Sequence, residues 1–166
     1  MTREDLDALM SEFGARIELP DFRLDENGQG CILTEKDAVF TFDYIDAANT
    51  LVIYTSIAEI VPSRRQELYG EMLKANFFWQ ETLGATLAVS PDGRFALLMT
   101  SISAGRLDID SLSQVYLNMA YLTDAWYARI EEIFGDEPLP NPDDPESNDN
   151  DAEPQPGDVL PPSMMA

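Results

Sequence analysis

An abrupt change of composition after Gly135 limits where this chain can fold. Residues 136–166 contain nine acidic residues and eight of the chain's 11 prolines, but no lysine or arginine. Proline withdraws backbone donors and like charges repel each other, so neither helix nor sheet is favoured there. The sequence therefore predicts a folded domain over residues 1–135 and a disordered, acidic, proline-rich tail over residues 136–166.

The composition predicts a single globular domain in the cytoplasm. The 166 residues are 45% hydrophobic and 10% aromatic, which suffices for one domain with a buried core. No stretch is long and apolar enough to span a bilayer, and the first residues after Met1 are charged instead of forming an export signal. Cys31 is the single cysteine, so an internal disulfide is excluded.

A net charge of −21 narrows the classes of partner. Removing the nine acids of the tail from the chain's 31 leaves 22, against 10 basic residues, so the domain itself carries −12. Phosphate contacts need clustered lysine and arginine, which disfavours nucleic acid and anionic membrane surfaces. The charge favours solubility and encounters with basic or neutral proteins.

Hydrophobic periodicity in the first 135 residues predicts an α+β fold. Three segments repeat apolar residues every three or four positions, and five shorter ones alternate or are β-branched. The order is helix, three strands, helix, two strands, helix, which predicts helices packed on a twisted antiparallel sheet. The predicted helices cover about residues 2–19, 62–79 and 108–134, and the predicted strands about 31–34, 38–45, 50–57, 85–89 and 94–102.

Local signals place the starts of the helices. Thr2 is a good N-cap for the first helix, and Ser63 and Gln66 have the spacing of a capping box for the second. Asp108 or Asp110 can cap the third.

The sequence offers no catalytic or metal-binding pattern. It has no histidine, and Cys31 lies in a predicted strand without a base beside it. Asp25, Asn27 and Gly30 match the first, third and sixth positions of a calcium loop, but Lys36 stands at the twelfth, where glutamate is required. We therefore predict no enzyme, no metal and no cofactor. A small hydrolase using paired carboxylates is the alternative from another class.

The second helix has more apolar surface than one sheet-facing stripe needs. Either it is a deeply buried central helix, or one side of it meets a second copy of the chain. The residues concerned are Leu68, Tyr69, Met72, Leu73, Phe77, Phe78 and Trp79.

Four segments, in order and with matching spacing, resemble a known family. They are Leu24–Leu33, a turn entering a strand; Leu51–Pro62, a strand leading to a helix; Leu73–Leu87, a helix end leading to a strand; and Leu107–Trp126, a long helix. Together they resemble the class I chaperones of bacterial type III secretion systems, the Tir chaperone family. Lys36-Asp37 departs from the family's pattern, and the acidic tail is longer than the fold requires.

The resemblance implies a bacterial cytoplasmic homodimer that binds the N-terminal chaperone-binding segment of one or more effectors in extended form. Such a chaperone keeps the effector soluble and export-competent and delivers it to the secretion ATPase. The dimer-interface residues implied are Leu68, Met72, Leu73, Phe77, Leu87 and Val89. The effector-binding residues implied are Leu6, Leu9, Phe13, Val39 and Phe42.

Two alternative functions are compatible with the sequence. A cytoplasmic regulator or adaptor could have this fold without any role in secretion. The acidic tail could also mimic nucleic acid or occupy a basic partner.

Overall fold

The structure, a computed structural model, describes residues 1–135, and the predicted tail lies outside the described residues. Three helices and five strands follow each other in the predicted order, so the α+β prediction is confirmed. The elements are α1 (Arg3–Arg16), β1 (Gln29–Leu33), β2 (Val39–Ile45), β3 (Thr50–Glu59), α2 (Arg65–Ala75), β4 (Thr86–Val89), β5 (Phe95–Ser103) and α3 (Ile109–Phe134).

The five strands form one antiparallel sheet in the order β1-β2-β3-β5-β4. The first three strands form a meander with short connections. The β4–β5 hairpin then places β5 against β3, so that β1 and β4 become the two edges. Four strand spacings separate these edges, or roughly 19 Å.

Alternation along β2 decides which face of the sheet is buried. Phe40, Phe42 and Tyr44 are buried, whereas Val39 points to the other face and is 47% exposed. The buried face packs on α1 and α3 through aromatic contacts. The Phe13 ring of α1 lies 5.8 Å from that of Phe42 and 5.4 Å from Tyr116 of α3, measured between centroids.

The first helix begins as predicted, and the second does not. The Thr2 hydroxyl accepts from the Asp5 N–H at 3.1 Å, and the Asp5 carboxylate accepts from the Thr2 N–H at 3.0 Å, which is a complete capping box. The capping box predicted from Ser63 and Gln66 is wrong. A short 3₁₀ turn over Pro62–Arg64 leads into α2, which has no side-chain cap, because proline is already suited to a first helical turn.

Asp108, and not Asp110, caps α3. Its Oδ1 accepts from the Ser111 N–H at 2.8 Å. That hydrogen bond is the main reason why the pKa of Asp108 lies below its ordinary value of 3.8. A carboxylate here also faces the positive end of a 26-residue helix.

We expect Asp108→Asn to lower the urea midpoint of unfolding at pH 7, because asparagine keeps the capping acceptor but loses the charge. The folded pKa is depressed, so the charge stabilises the fold above about pH 3.8 and ceases to do so as the pH falls through the folded pKa. The difference between wild type and variant should therefore shrink as the pH falls below about 3.8 towards the lowered folded pKa, and a difference independent of pH would contradict this assignment.

Candidate partner-binding site

The free edge of β1 is open for hydrogen bonding. The Thr34 N–H donates to the Ala38 C=O at 2.9 Å, and bonded and non-bonded pairs alternate along an antiparallel ladder. Cys31 and Leu33 are therefore the residues whose N–H and C=O groups point away from β2. No group within residues 1–135 takes these up, so β1 presents an unpaired row to an incoming strand.

Asp25 occupies the outward backbone groups at the beginning of the same edge. Its Oδ1 accepts from the N–H groups of Asn27 and Gln29, both at 2.9 Å, and its own N–H donates to the Gln29 C=O at 2.7 Å. The bonds to Oδ1 lower the pKa of Asp25, the one from the Gln29 N–H most. The segment that resembles a calcium loop is thus a turn before a strand, as predicted, and the bonds to the Asp25 side chain make it an Asx turn. The open part of the edge consists of Cys31 and Leu33.

The opposite edge of the sheet is closed at Leu87. Asn76, directly after α2, donates from its side chain to the Leu87 C=O at 3.0 Å and accepts from the Leu87 N–H at 2.9 Å. A side-chain amide thus takes the place that a neighbouring strand would occupy on β4. Strand addition is favoured at β1 and disfavoured at β4.

Exposed apolar side chains lie beside the open edge. Leu33 is 66% exposed and stands opposite Val39 of β2, which is 47% exposed. Both point to the sheet face that α1 and α3 leave free. Cys31 is exposed on the same face. An extended partner paired with β1 would find apolar contacts next to its backbone bonds.

The five predicted effector-binding residues differ in their burial. Leu6, Phe13 and Phe42 are fully buried in the core between α1, α3 and the sheet, and their role as effector contacts stays a prediction. Leu9 is half-buried at the edge of α1, and Val39 is exposed. Only these two are accessible to a partner.

The predicted dimer-interface residues also divide by burial. Leu68, Met72 and Leu87 are buried within the protomer, and their place in a dimer interface stays a prediction. Leu73 and Phe77 are 72% and 70% exposed. An open pocket between α2 and β4 brings several of them together, and it is lined by Tyr69, Met72, Leu73, Asn76, Leu87, Ala88 and Val89.

An ion-pair network holds the segment after α2 against α3. Arg129 donates to Glu71 at 2.6 Å and to Glu81 at 2.7 Å, and Lys74 donates to Glu71 at 2.7 Å. Hydrogen bonds from Lys74 and then Arg129 hold the pKa of Glu71 below its ordinary value. The network joins three segments that are distant in sequence.

Sequence reasoning missed Asn76 and Arg129. An asparagine at a helix end is typical of a C-cap, and nothing in the local sequence shows that it reaches β4. Arg129 acts on carboxylates 48 and 58 positions away. Within residues 1–135, no group of three histidine, cysteine, aspartate or glutamate side chains could hold a metal ion. The described helices include none that is long and apolar enough to cross a membrane.

The sequence pattern that defines the Tir chaperone protein (CesT) family matches residues 8–126, well over half of the chain. The chain belongs to the Tir chaperone family. The match covers every element except the start of α1 and the last residues of α3. No curated protein sequence matches the chain significantly.

Solved structures share this Tir chaperone fold at low sequence identity. A chain of the ExsC–ExsE complex is 17% identical with a TM-score of 0.65, over 75% of this chain and 92% of that one. A chain of the HopA1–SchA chaperone–effector complex is 15% identical with a TM-score of 0.62, over 77% and 98%. The Yersinia pestis type III secretion chaperone SycH, solved with a stable fragment of YscM2, gives 22% and 0.56, over 72% and 98%.

Proposed function

We propose that this protein is a type III secretion chaperone that binds the N-terminal segment of an effector in extended form and keeps it soluble and competent for export. Family membership supports the chaperone role, and chains of similar fold have been solved in chaperone–effector complexes. The observation that carries the binding mode is the open β1 edge, with Leu33 and Val39 exposed beside it.

The proposed contact combines backbone and side-chain interactions. An effector strand would exchange hydrogen bonds with Cys31 and Leu33, and its alternate side chains would cover Leu33 and Val39. Because backbone pairing is independent of sequence, it suits a segment held without its own tertiary structure. Leu9 of α1 is the second candidate contact.

We further propose a homodimer whose seam includes Leu73, Phe77 and Val89 at the α2–β4 edge. These residues lie on or beside the pocket between α2 and β4, at the opposite side of the sheet from β1. The two binding events would therefore use separate surfaces of each protomer.

The role is binding and not catalysis, in the bacterial cytoplasm, with delivery of the effector to the secretion ATPase as the last step. The support for this is the Tir chaperone family itself. The net charge of −21 keeps a protein with exposed apolar surfaces soluble.

Co-expression tests the proposal. Fragments of about the first hundred residues of secreted proteins encoded beside this chain would be produced with it, and the purified material analysed by light scattering. We expect one fragment to co-purify with a dimer of about 37 kDa, twice the 18.5 kDa of one chain. Residues 1–135 alone should form the same complex, because every surface named lies within them. A protein that stays monomeric and retains no fragment would contradict the proposal.

A further inference from the structure

The Thr82 hydroxyl is the exception among the polar side chains that the core encloses. Within residues 1–135, three polar residues are buried, and these are Thr55, Thr82 and Thr123. Thr123 donates to the Met119 C=O at 2.8 Å, and Thr55 donates to the Ser56 C=O at 3.5 Å. The Thr82 Oγ1 is fully enclosed and finds no hydrogen-bond partner among the described residues. A buried hydroxyl without a partner destabilises a fold, and valine would fill the same space without that cost.

Thr82 lies at the centre of two turns that connect α2 to β4. Its N–H donates to the Trp79 C=O at 3.3 Å, and its C=O accepts from the Ala85 N–H at 2.8 Å. Leu83 and Gly84, which follow it, have φ angles of 49° and 90°. Both backbone groups of Thr82 are therefore occupied by these turns. Its hydroxyl has to find a partner in a bound molecule.

A small cleft joins Thr82 to α3 and β5. It has a volume of about 30 Å³, and its apolar lining includes Leu83 and Met119. Three polar side chains interrupt this lining, namely Thr82, Thr100 of β5 and Asn118 of α3. One buried water molecule needs about 10–15 Å³ of such space and two to four polar partners. The cleft meets both requirements and is too small for an organic ligand.

The three polar groups offer the donors and acceptors that a single water molecule can use. The Asn118 Oδ1 already accepts from the Gln114 side chain at 2.9 Å, which leaves the Asn118 NH2 group as a donor. The Thr82 hydroxyl can donate as well, and the Thr100 hydroxyl can accept. A water between them would accept two hydrogen bonds and donate one, and three is the usual number for a buried water.

We propose that this cleft is a binding site for one ordered water molecule, which joins Thr82 to Thr100 and Asn118. The water satisfies the buried hydroxyl and links the segment between α2 and β4 to both β5 and α3. The site needs no partner protein, so it goes beyond the proposed chaperone role and does not rest on it.

The water adds a third anchor to the segment between α2 and β4. The start of this segment is held by the Asn76 bonds to Leu87, and its middle by the ion pair of Arg129 with Glu81. Thr82 lies close to the end of the segment, where the chain enters β4. Its water holds that end against the core.

Thr82→Val in the full-length protein gives opposite results with and without the water. If the hydroxyl has no partner, valine removes the cost of burying it, and the urea midpoint of unfolding should rise. If the hydroxyl binds the water, valine withdraws one of the three partners, and the folding equilibrium constant should fall at least about fivefold. We expect the fall. A variant that is as stable as wild type, or more stable, overturns the proposal.

A double-mutant cycle with Thr100→Val tests whether the two hydroxyls share the water. The losses from Thr82→Val and Thr100→Val should not add, because either change breaks the same bridge. Thr123→Val is the matched control, since Thr123 is also buried but donates to Met119 and does not line the cleft. Its effect should add to that of Thr100→Val. Additive losses for Thr82 and Thr100 would overturn the bridge.

A crystal structure of the full-length protein, at a resolution that shows ordered water, provides the direct observation. We expect a water oxygen about 2.7–3.0 Å from the Thr82 Oγ1 and within hydrogen-bond distance of Thr100 and Asn118. Crystals of Thr82→Val should show this water weakened or lost. A Thr82 hydroxyl bonded to a protein group, or a wild-type cleft without density between the three side chains, overturns the proposal.

Discussion

Leu73→Asp is expected to convert the dimer of about 37 kDa into a monomer of 18.5 kDa. The side chain is 72% exposed in the protomer, so an aspartate is well solvated there and should leave the unfolding midpoint nearly unchanged. In the proposed seam, the same charge would be buried without a partner, at a cost of about 3 kcal/mol or more. Light scattering over a range of concentrations measures the mass directly.

Leu117→Asp is the matched control. Leu117 is also an exposed leucine on a helix, 59% exposed on α3, and the change adds the same charge. The control should stay dimeric. If Leu73→Asp stays dimeric too, or if both variants become monomers, the seam at α2 is wrong.

Leu33→Pro is expected to abolish binding of the effector fragment, with an affinity loss of about 100-fold or more. Proline removes the outward N–H of Leu33 and its apolar side chain together, and the loss of both contacts amounts to roughly 3 kcal/mol. Proline is tolerated on an edge strand when its missing N–H faces away from the sheet, so the fold should persist. Titration calorimetry with the purified fragment provides the measurement.

Leu33→Ala separates the two contributions, because it keeps the N–H and loses only the side chain. Its affinity should lie between those of wild type and the proline variant. Both variants should remain dimers, since β1 is at the opposite edge from α2. A proline variant that binds as tightly as the alanine variant would show that backbone pairing at Leu33 contributes nothing.

Hydrogen bonds occupy the two edges of the sheet to different extents, and this difference disfavours strand pairing between copies at either edge. Asn76 occupies the backbone of Leu87 on β4, so a second copy cannot add a strand there. The β1 edge is open over only two residues, because Asp25 closes its beginning. A short open edge on a strongly acidic chain disfavours pairing between copies and leaves room for an effector strand.

The order of elements could be predicted because each depends on local periodicity. Alternation along β2 is itself a local signal, as is the three-residue spacing between Thr2 and Asp5 at the start of α1. The partner-binding surfaces were harder to predict from the sequence. On α2, Met72 and Leu73 are adjacent and both apolar, yet one is 3% and the other 72% exposed, which depends on where β4 and α3 lie.

Long-range contacts set the remaining features. The left-handed backbone at Phe78 and Trp79 is stabilised by contacts of neighbouring residues with β4 and α3, whereas local preference argues against it. Likewise, Leu6 and Phe13 belong to one apolar stripe of α1. They are buried because the helix packs on the aromatic face of the sheet.

Amide hydrogen exchange at Cys31 and Leu33, with and without the effector fragment, tests the central claim most directly. These N–H groups point away from the sheet and should exchange fast in the free protein, as solvent-exposed edge amides do. Binding of an extended strand should slow both by a large factor while Leu87, already bonded to Asn76, changes little. Unchanged exchange at Cys31 and Leu33 in a complex that demonstrably contains the fragment would contradict the binding mode.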